Sequence, residues 1–281
     1  MSTALRIAHG AFGRVALLDM DWSLVRHAHP HCHVLLKVEG ADTQFVVGDT
    51  VYPLTNETAV LVNGWQPHSY VHDPKRPRTV ILALYIEPEW LMVFRPGWAA
   101  SGAPGFFSHP SGEASPRIRS LAMNLAADMM ARPEARNAHE TALSDLMIAV
   151  IERFTPWKSF PRSIRELNVS ACDRRIRRAA EYIRCNAGGE SDIETLAKQA
   201  GLSRAHFFRL FQSSIGLPPK VYLNVVRMER AVDAVLHHHD VPVGEIGARL
   251  GFSDPAHFTR FFRNNAGVSP SEFRQVSRLA S

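Results

Sequence analysis

The chain has 281 residues, 46% hydrophobic and 21% charged, with Lys and Arg exceeding Asp and Glu by five. That length and balance support two domains with buried cores and exclude a long disordered or low-complexity polymer. No basic-then-apolar leader opens the chain and no run approaches the roughly 18 apolar residues of a membrane span; with three cysteines at unpaired spacing, a cytoplasmic protein with no membrane partner is expected.

From about Leu5 to Ile86 the chain reads as short strands. Residues 15–18, 34–38, 43–47, 58–62 and 79–84 are rich in β-branched and aliphatic side chains. Glu39-Gly40, Gly48-Asp49, Asn56-Glu57 and Asn63-Gly64 punctuate them as turns. Many short, evenly spaced strands predict a small closed barrel or jelly roll over residues 1–90.

The histidines refine that barrel. His27-x-His29-x3-His33-x6-Gly40 resembles the first cupin motif, with His33 standing where Glu is usual. Gly64-x3-His68 resembles the second, with one extra residue between Gly and His. Residues two apart share a strand face, so His27, His29, His31 and His33 are expected to point into one barrel unless Pro30 bulges the strand. Converging neutral imidazoles suit Zn, Fe, Ni or Cu, which makes His27, His29, His33 and His68 candidate ligands of a divalent transition metal. Lining of an effector pocket and ordinary structural packing stay open as alternatives, and no cofactor is required. Arg26, Trp65, Tyr70 and His72 are further candidates for an effector pocket.

Next comes helical material. Ile118, Leu121, Leu125, Met129 and Met130 recur at helical spacing, as do Leu143, Leu146, Met147, Val150 and Ile151. They predict antiparallel helices over about 116–131 and 135–154, a hairpin within 91–156. Its apolar stripe is read as core. Pro156 and Pro161 mark the following stretch, 157–170, as an inter-domain linker.

Residues 171–281 hold 16 Lys and Arg against 11 Asp and Glu, whereas residues 1–170 hold 16 of each, so the whole basic surplus lies here. A helix is expected over about 172–186, and beyond it one unit is written twice. Gly201-Leu202-Ser203 leads into Arg204-Ala205-His206-Phe207-Phe208-Arg209-Leu210-Phe211, then Gly216 and Pro219. Gly251-Phe252-Ser253 leads to Ala256-His257-Phe258-Thr259-Arg260-Phe261-Phe262, then Gly267 and Pro270. The offset is 50 residues up to the turn and 51 after it, so one residue is inserted near Asp254-Pro255. A fixed-period repeat defines the architecture.

Each copy reads as a helix, a tight glycine turn and a second short helix. Ser203 and Ser253 are placed as N-caps, with Asp254 the alternative in the second copy. Leu202, Phe207, Leu210 and Phe211 should pack inward in the first copy, and Phe252, Phe258, Phe261 and Phe262 in the second. Arg204, Ala205, Phe208, Arg209 and Gln212 then face out, as do Pro255, Ala256, Thr259, Arg260 and Arg263. His206 and His257, beside core phenylalanines, are expected to be half-buried packing residues. A helix-turn-helix lays the outward face of its second helix in the major groove, where Arg pairs bidentately with guanine.

The stretch from about Ser191 to Gln275 resembles the DNA-binding domain of the AraC/XylS transcriptional regulators. The likeness rests on Gly251-Phe252-Ser253, His257 to Arg263, Gly267-Val268-Ser269-Pro270 and Phe273-Arg274. It implies an α+β two-domain protein: a cupin-like N-terminal barrel with a helical dimerisation hairpin, then an all-α domain of two helix-turn-helix units. The units fall at 192–214 and 242–266, joined by a linker helix at 219–238. It further implies that the recognition helices enter successive major grooves about 34 Å apart on one face of double-stranded DNA. Base-contacting positions of the family fall on Ala205, Phe208 and Arg209, and on Pro255, Ala256, Thr259 and Arg260. Ala205 and Phe208 can meet thymine methyls but cannot hydrogen-bond a base, so Arg209 and Arg260 are expected to carry most direct readout.

The expected protein is a non-enzymatic transcription regulator, an activator before a repressor, sensing a small molecule or ion in its barrel. Its partners would be DNA, an unknown effector, RNA polymerase if it activates, and a second copy of itself. Two alternatives stand beside it: a metal-dependent cupin enzyme or metal sensor fused to a DNA-binding domain, and a non-specific architectural DNA protein.

Overall fold

The computed structural model describes residues 2–156, 173–188 and 193–278. Its first part contains β1 (Thr3–Gly10), β2 (Gly13–Met20), β3 (Cys32–Gly40), β4 (Thr43–Val47), β5 (Thr50–Leu54), β6 (Thr58–Val62), β7 (His68–Val71), β8 (Thr79–Ile86) and β9 (Ser111–Glu113). They form two antiparallel sheets, one in the order β1-β2-β8-β3-β6-β9 and one in the order β5-β4-β7.

The two-residue period of a strand sorts the side chains. Val15 and Leu17, Val34 and Leu36, and Leu82 and Leu84 enter one apolar cluster; Ala16, Leu18, Leu35, Ile81 and Ala83 enter another. The first cluster is covered by α1 (Pro88–Phe94), α2 (Pro116–Ala131) and α3 (Arg136–Phe154). There Ile118, Leu125 and Met129 meet Leu143, Leu146, Met147 and Val150, so most of the apolar stripe is core, while Met130 stays exposed. The second cluster fills the space between the sheets with Phe45, Tyr70 and their neighbours. Each fully buried Leu or Phe contributes roughly 1.5–3 kcal/mol.

Two details depart from the sequence-based expectation. The barrel does not end at residue 90, because β9 returns from the expected helical stretch 91–156 to pair with the edge of β6. Ser-Gly-Glu has no strand preference of its own; an unfilled sheet edge recruits it. Nor do His27 to His33 form one strand. Residues 21–31 run as an irregular strap between β2 and β3, and β3 begins only at Cys32, just beyond Pro30. Proline has no N–H to give a ladder. The strap instead covers the free edge of β7: His27 and His68 exchange backbone bonds of 2.9 and 2.8 Å, and Leu24 N–H donates to Tyr70 O at 3.1 Å.

The second part is helical: α4 (Arg174–Cys185), α5 (Ile193–Gln199), α6 (Arg204–Ile215), α7 (Pro219–His237), α8 (Val243–Arg249), α9 (Pro255–Ala266) and α10 (Pro270–Arg278). The expected linker at 157–170, Cys172 at the start of the expected first helix, and residue 192 at the start of the first unit lie outside the described residues. Ile176, Ile183, Leu196, Phe207, Phe211 and Tyr222 make one core. Val235, Ile246, Phe258, Phe262 and Phe273 belong to a second, continuous with the inter-sheet cluster of the barrel.

Polar contacts cross the same boundary. Val25 N–H donates to Asn264 O at 3.2 Å, and Ala4 N–H to Glu272 Oε1 at 3.2 Å. His31 lies between Glu87 of the barrel (2.7 Å) and Glu229 of α7 (3.7 Å). Burial opposes charge on His31, but the Glu87 hydrogen bond and the Glu229 charge outweigh it and raise its pKa.

Candidate nucleic-acid interface and histidine site

The repeat becomes two helix-turn-helix units, α5–α6 and α8–α9. Each turn is closed at the glycine: Gly201 has φ +66° and Leu202 N–H donates to Ala197 O, while Gly251 has φ +81° and Phe252 N–H donates to Gly247 O. Only glycine takes this left-handed conformation without steric cost. Ser203 caps α6, its hydroxyl accepting from His206 N–H at 3.3 Å. In the second copy Asp254, not Ser253, caps the helix by accepting from Ala256 N–H at 2.9 Å, with Pro255 at the first helical position. The inserted residue is thus absorbed between turn and cap, and both recognition helices keep 12 residues.

Phe207, Phe211, Phe258 and Phe262 are fully buried, whereas Leu210 and Phe261, also expected inside, are half-buried. On α6, Arg204, Ala205, Arg209 and Gln212 are exposed and Phe208 is half-buried, with the Arg204 guanidinium 5.9 Å from its ring centre. On α9, Pro255, Ala256, Arg260 and Arg263 are exposed and Thr259 is half-buried. Among the described residues neither Arg209 nor Arg260 has an ion-pair partner, so both guanidinium forks are available. His206 and His257 are exposed rather than half-buried, because each sits in the first turn on the outer side of its helix; His257 meets Phe252 edge-on at 5.4 Å.

The surroundings of the two helices differ, which the sequence repeat does not announce. Ala256, Thr259, Arg260 and Arg263 look across a cleft of about 660 Å³ at Trp22 and Leu24 of the strap. A second cleft, about 710 Å³, separates His257 and Arg260 from Val25, Arg26 and His27. The reading face of α9 is therefore bracketed by the barrel. Sequence reasoning missed Trp22, Leu24 and Val25; an apolar run within a loop was the available signal.

The histidines converge where the two sheets and the strap meet. His33 shares the inward face of β3 with Leu35, and His68 shares that of β7 with Tyr70, by strand parity. His27 pairs across from His68, with ring centres 4.4 Å apart, and His29 lies 4.8 Å from His68 and 4.9 Å from His33. His31 turns away to its two glutamates, so the four-histidine face expected over 27–33 loses that member. Burial pushes all four clustered imidazoles below their usual range, His33 to about 3, and mutual repulsion lowers His29 further.

The expected effector group does not assemble. Arg26 is exposed and pairs with Asp49 at 2.9 Å, while Trp65 stacks on Tyr222 of α7 with ring centres 5.2 Å apart. Tyr70 is fully buried in the inter-sheet core, and its neighbour His72 borders a separate cleft of about 120 Å³. The strap sends Arg26 outward and the turn lays Trp65 against α7, whereas Tyr70 and His72 stay together, Tyr70 Oη 3.5 Å from His72 Nδ1.

Comparison with known proteins matches both halves. Residues 12–150 match an AraC-like ligand binding domain and residues 196–276 a helix-turn-helix domain. The lactose operon transcription activator of Staphylococcus xylosus is 26% identical over 141 residues, 50% of this chain and 49% of that protein. The arabinose operon regulatory protein of Escherichia coli is 32% identical over 103 residues, 36% of this chain and 35% of that protein. These matches span about half or less of the relatives' length. In fold, apo ToxT K231A from Vibrio cholerae superposes with a TM-score of 0.58 over 96% of this chain and 99% of that one, at 11% identity. With an AraC-like ligand-binding domain followed by a helix-turn-helix domain, the chain belongs to the AraC family of transcriptional regulators.

Proposed function

We propose that the chain is a sequence-specific transcription activator whose helices α6 and α9 read successive major grooves through Arg209 and Arg260. The observation that carries this reading is the pair of equivalent, exposed guanidinium groups, each on the second helix of its unit and unpaired among the described residues. A guanidinium fork matches guanine O6 and N7, and the basic surplus of residues 171–281 suits phosphate neutralisation. Two units in one chain read an asymmetric site rather than half a palindrome. Activation, and with it RNA polymerase as a partner, is the reading favoured by relatives named as operon activators. Met123 and Met130, exposed seven residues apart on α2, support a homodimer through the helical hairpin. No helix among the described residues is long and apolar enough to cross a membrane, in keeping with action in the cytoplasm.

Regulation follows from the docked barrel. With α9 bracketed by the strap, the docked arrangement is the one with low DNA affinity, and a signal acts by favouring release. On this reading the barrel is the sensor.

The test is a promoter footprint with Arg209→Ala and Arg260→Ala. Arg209→Ala loses about 1–3 kcal/mol of specific affinity, Arg260→Ala loses as much once the barrel is released, and each relaxes specificity at its own base position. An unchanged footprint and affinity in both variants removes the reading.

A further inference from the structure

Four imidazoles meet at the mouth of the barrel, and their hydrogen bonds all run the same way. His27 Nδ1 lies 2.8 Å from Val25 O, His29 Nδ1 3.0 Å from His31 O, His33 Nδ1 3.0 Å from Leu84 O, and His68 Nδ1 2.9 Å from Gln66 O. A carbonyl only accepts, so each Nδ1 carries the proton and each Nε2 presents a lone pair. The Nε2 atoms of His29 and His68 are buried without a partner among the described residues, in residues only 4% and 1% exposed. Packing histidines of an ordinary core satisfy both nitrogens; these leave an acceptor unpaired, and they leave it in the same place. One donor atom from each of His27, His29 and His68 lies within 4.8 Å of the others.

We propose that His27, His29 and His68 ligate a divalent transition-metal ion, with His33 the adjoining fourth imidazole, and that filling this site is the signal that frees α9. The inference rests on the regulator reading for its second half only. An all-imidazole donor set suits Zn²⁺, Co²⁺, Ni²⁺ or Cu²⁺ and not Ca²⁺ or Mg²⁺, which require oxygen. A backbone carbonyl holding each Nδ1–H is the outer-shell arrangement that orients ligating histidines. Tetrahedral nitrogen ligands about 2.0–2.1 Å from a metal stand about 3.3 Å apart. Ligand closure from separations of up to 4.8 Å therefore draws His27 and His29, and the strap with them, toward His68 on β7. Val25, two residues before His27, holds Asn264 of α9 through its N–H, so the same movement loosens the strap from the recognition helix. The ion binds the contracted arrangement better than the docked one, which is the condition for it to shift the balance.

The experiment uses the full chain, stripped with a chelator and titrated with Co²⁺. Its visible spectrum reports tetrahedral nitrogen ligation and elemental analysis gives the stoichiometry. One Co²⁺ per chain is expected. His27→Ala, on the half-exposed strap and so tolerant of substitution, weakens binding by more than the roughly 10–100-fold that loss of an outer-shell partner costs. His68→Gln abolishes the spectrum, and circular dichroism reports whether its fold is kept. His72→Ala, outside the cluster, binds as the parent does. Hydrogen exchange over residues 21–31 changes with metal, and promoter affinity rises about 5–150-fold. Failure to bind Co²⁺, or a spectrum that survives in His27→Ala and His68→Gln, overturns the site. Stoichiometric binding with exchange and promoter affinity unchanged overturns the coupling. Metal binding by a chain that ignores its promoter in both states leaves the site standing and removes the regulator reading instead.

Discussion

Arg209 and Arg260 are equivalent in the repeat but not in their surroundings, so the two alanine variants should differ until the barrel is released. Arg260 borders both clefts that face the strap; Arg209 borders neither. An arginine–guanine contact is worth about 1–3 kcal/mol when fully made. In the docked chain Arg260→Ala should cost only a fraction of that, because α9 seldom reaches the groove, while Arg209→Ala costs it in full. Release can be engineered at Glu229, whose carboxylate lies 3.7 Å from His31 Nδ1 and is 30% exposed. A partly exposed pair of this kind contributes about 0.5–1 kcal/mol. Glu229→Lys turns attraction into repulsion of similar size, a change of about 1–2 kcal/mol, or roughly 5–30-fold in the ratio of docked to released chain. At about pH 6 the raised pKa keeps His31 charged. Fluorescence anisotropy on a labelled promoter duplex, run as a double-mutant cycle, then separates the contributions. Glu229→Lys should tighten binding and enlarge the Arg260→Ala loss to its full value, leaving the Arg209→Ala loss unchanged. Equal Arg260→Ala losses in both backgrounds would refute shielding of α9.

Two further outcomes follow from local geometry. Gly201→Ala meets open space and pays only for its left-handed φ, about 1–2 kcal/mol, whereas Gly251→Ala also brings Cβ to 2.9 Å from Gly188 O and should cost at least about 1 kcal/mol more in urea denaturation. Cys32 is fully buried and burial pushes its thiol up to about 12, so at about pH 8 it stays protonated and resists iodoacetamide until the chain is denatured, while exposed Cys185 reacts at once; peptide mass spectrometry distinguishes the two.

What the sequence made legible was whatever depends on local chemistry. The glycine turns, the caps and the phenylalanine periodicity are properties of a dozen residues each, and α6 and α9 follow from them. Strands such as 43–47 and 58–62 were equally plain, because alternation with β-branched residues survives in any context. β5, with Pro53 inside it, β7 and β9 were not, since each exists only because a neighbouring edge has room for it. The histidine cluster was half legible. Spacing gathered His27, His29, His33 and His68, but the alternation that should have included His31 fails at Pro30. Arg26, Trp65, Tyr70 and His72 were grouped by chemistry alone, and no local rule relates their positions across the strap, a turn and β7.

Among the described residues the strap touches the barrel and both helix-turn-helix units. Ala28 packs into the core of the first unit and Leu24 against that of the second, while His27 and His29 between and beside them face the barrel mouth. His29 O also accepts from Trp65 N–H at 2.7 Å, and Trp65 is held at φ +66°, a conformation that costs a non-glycine residue about 1–3 kcal/mol, while its ring stacks on Tyr222 of α7. A backbone held out of its preferred region persists only where its neighbours over-determine it, here the strap on one side and the linker helix on the other. Moving His29 therefore disturbs Trp65, and Trp65 bears on α7, which joins the two units. A change at the barrel mouth reaches α9 through Val25 and both units through Trp65, so two copies that are alike in sequence become unequal, and adjustable, by virtue of where eleven irregular residues, 21–31, lie between them.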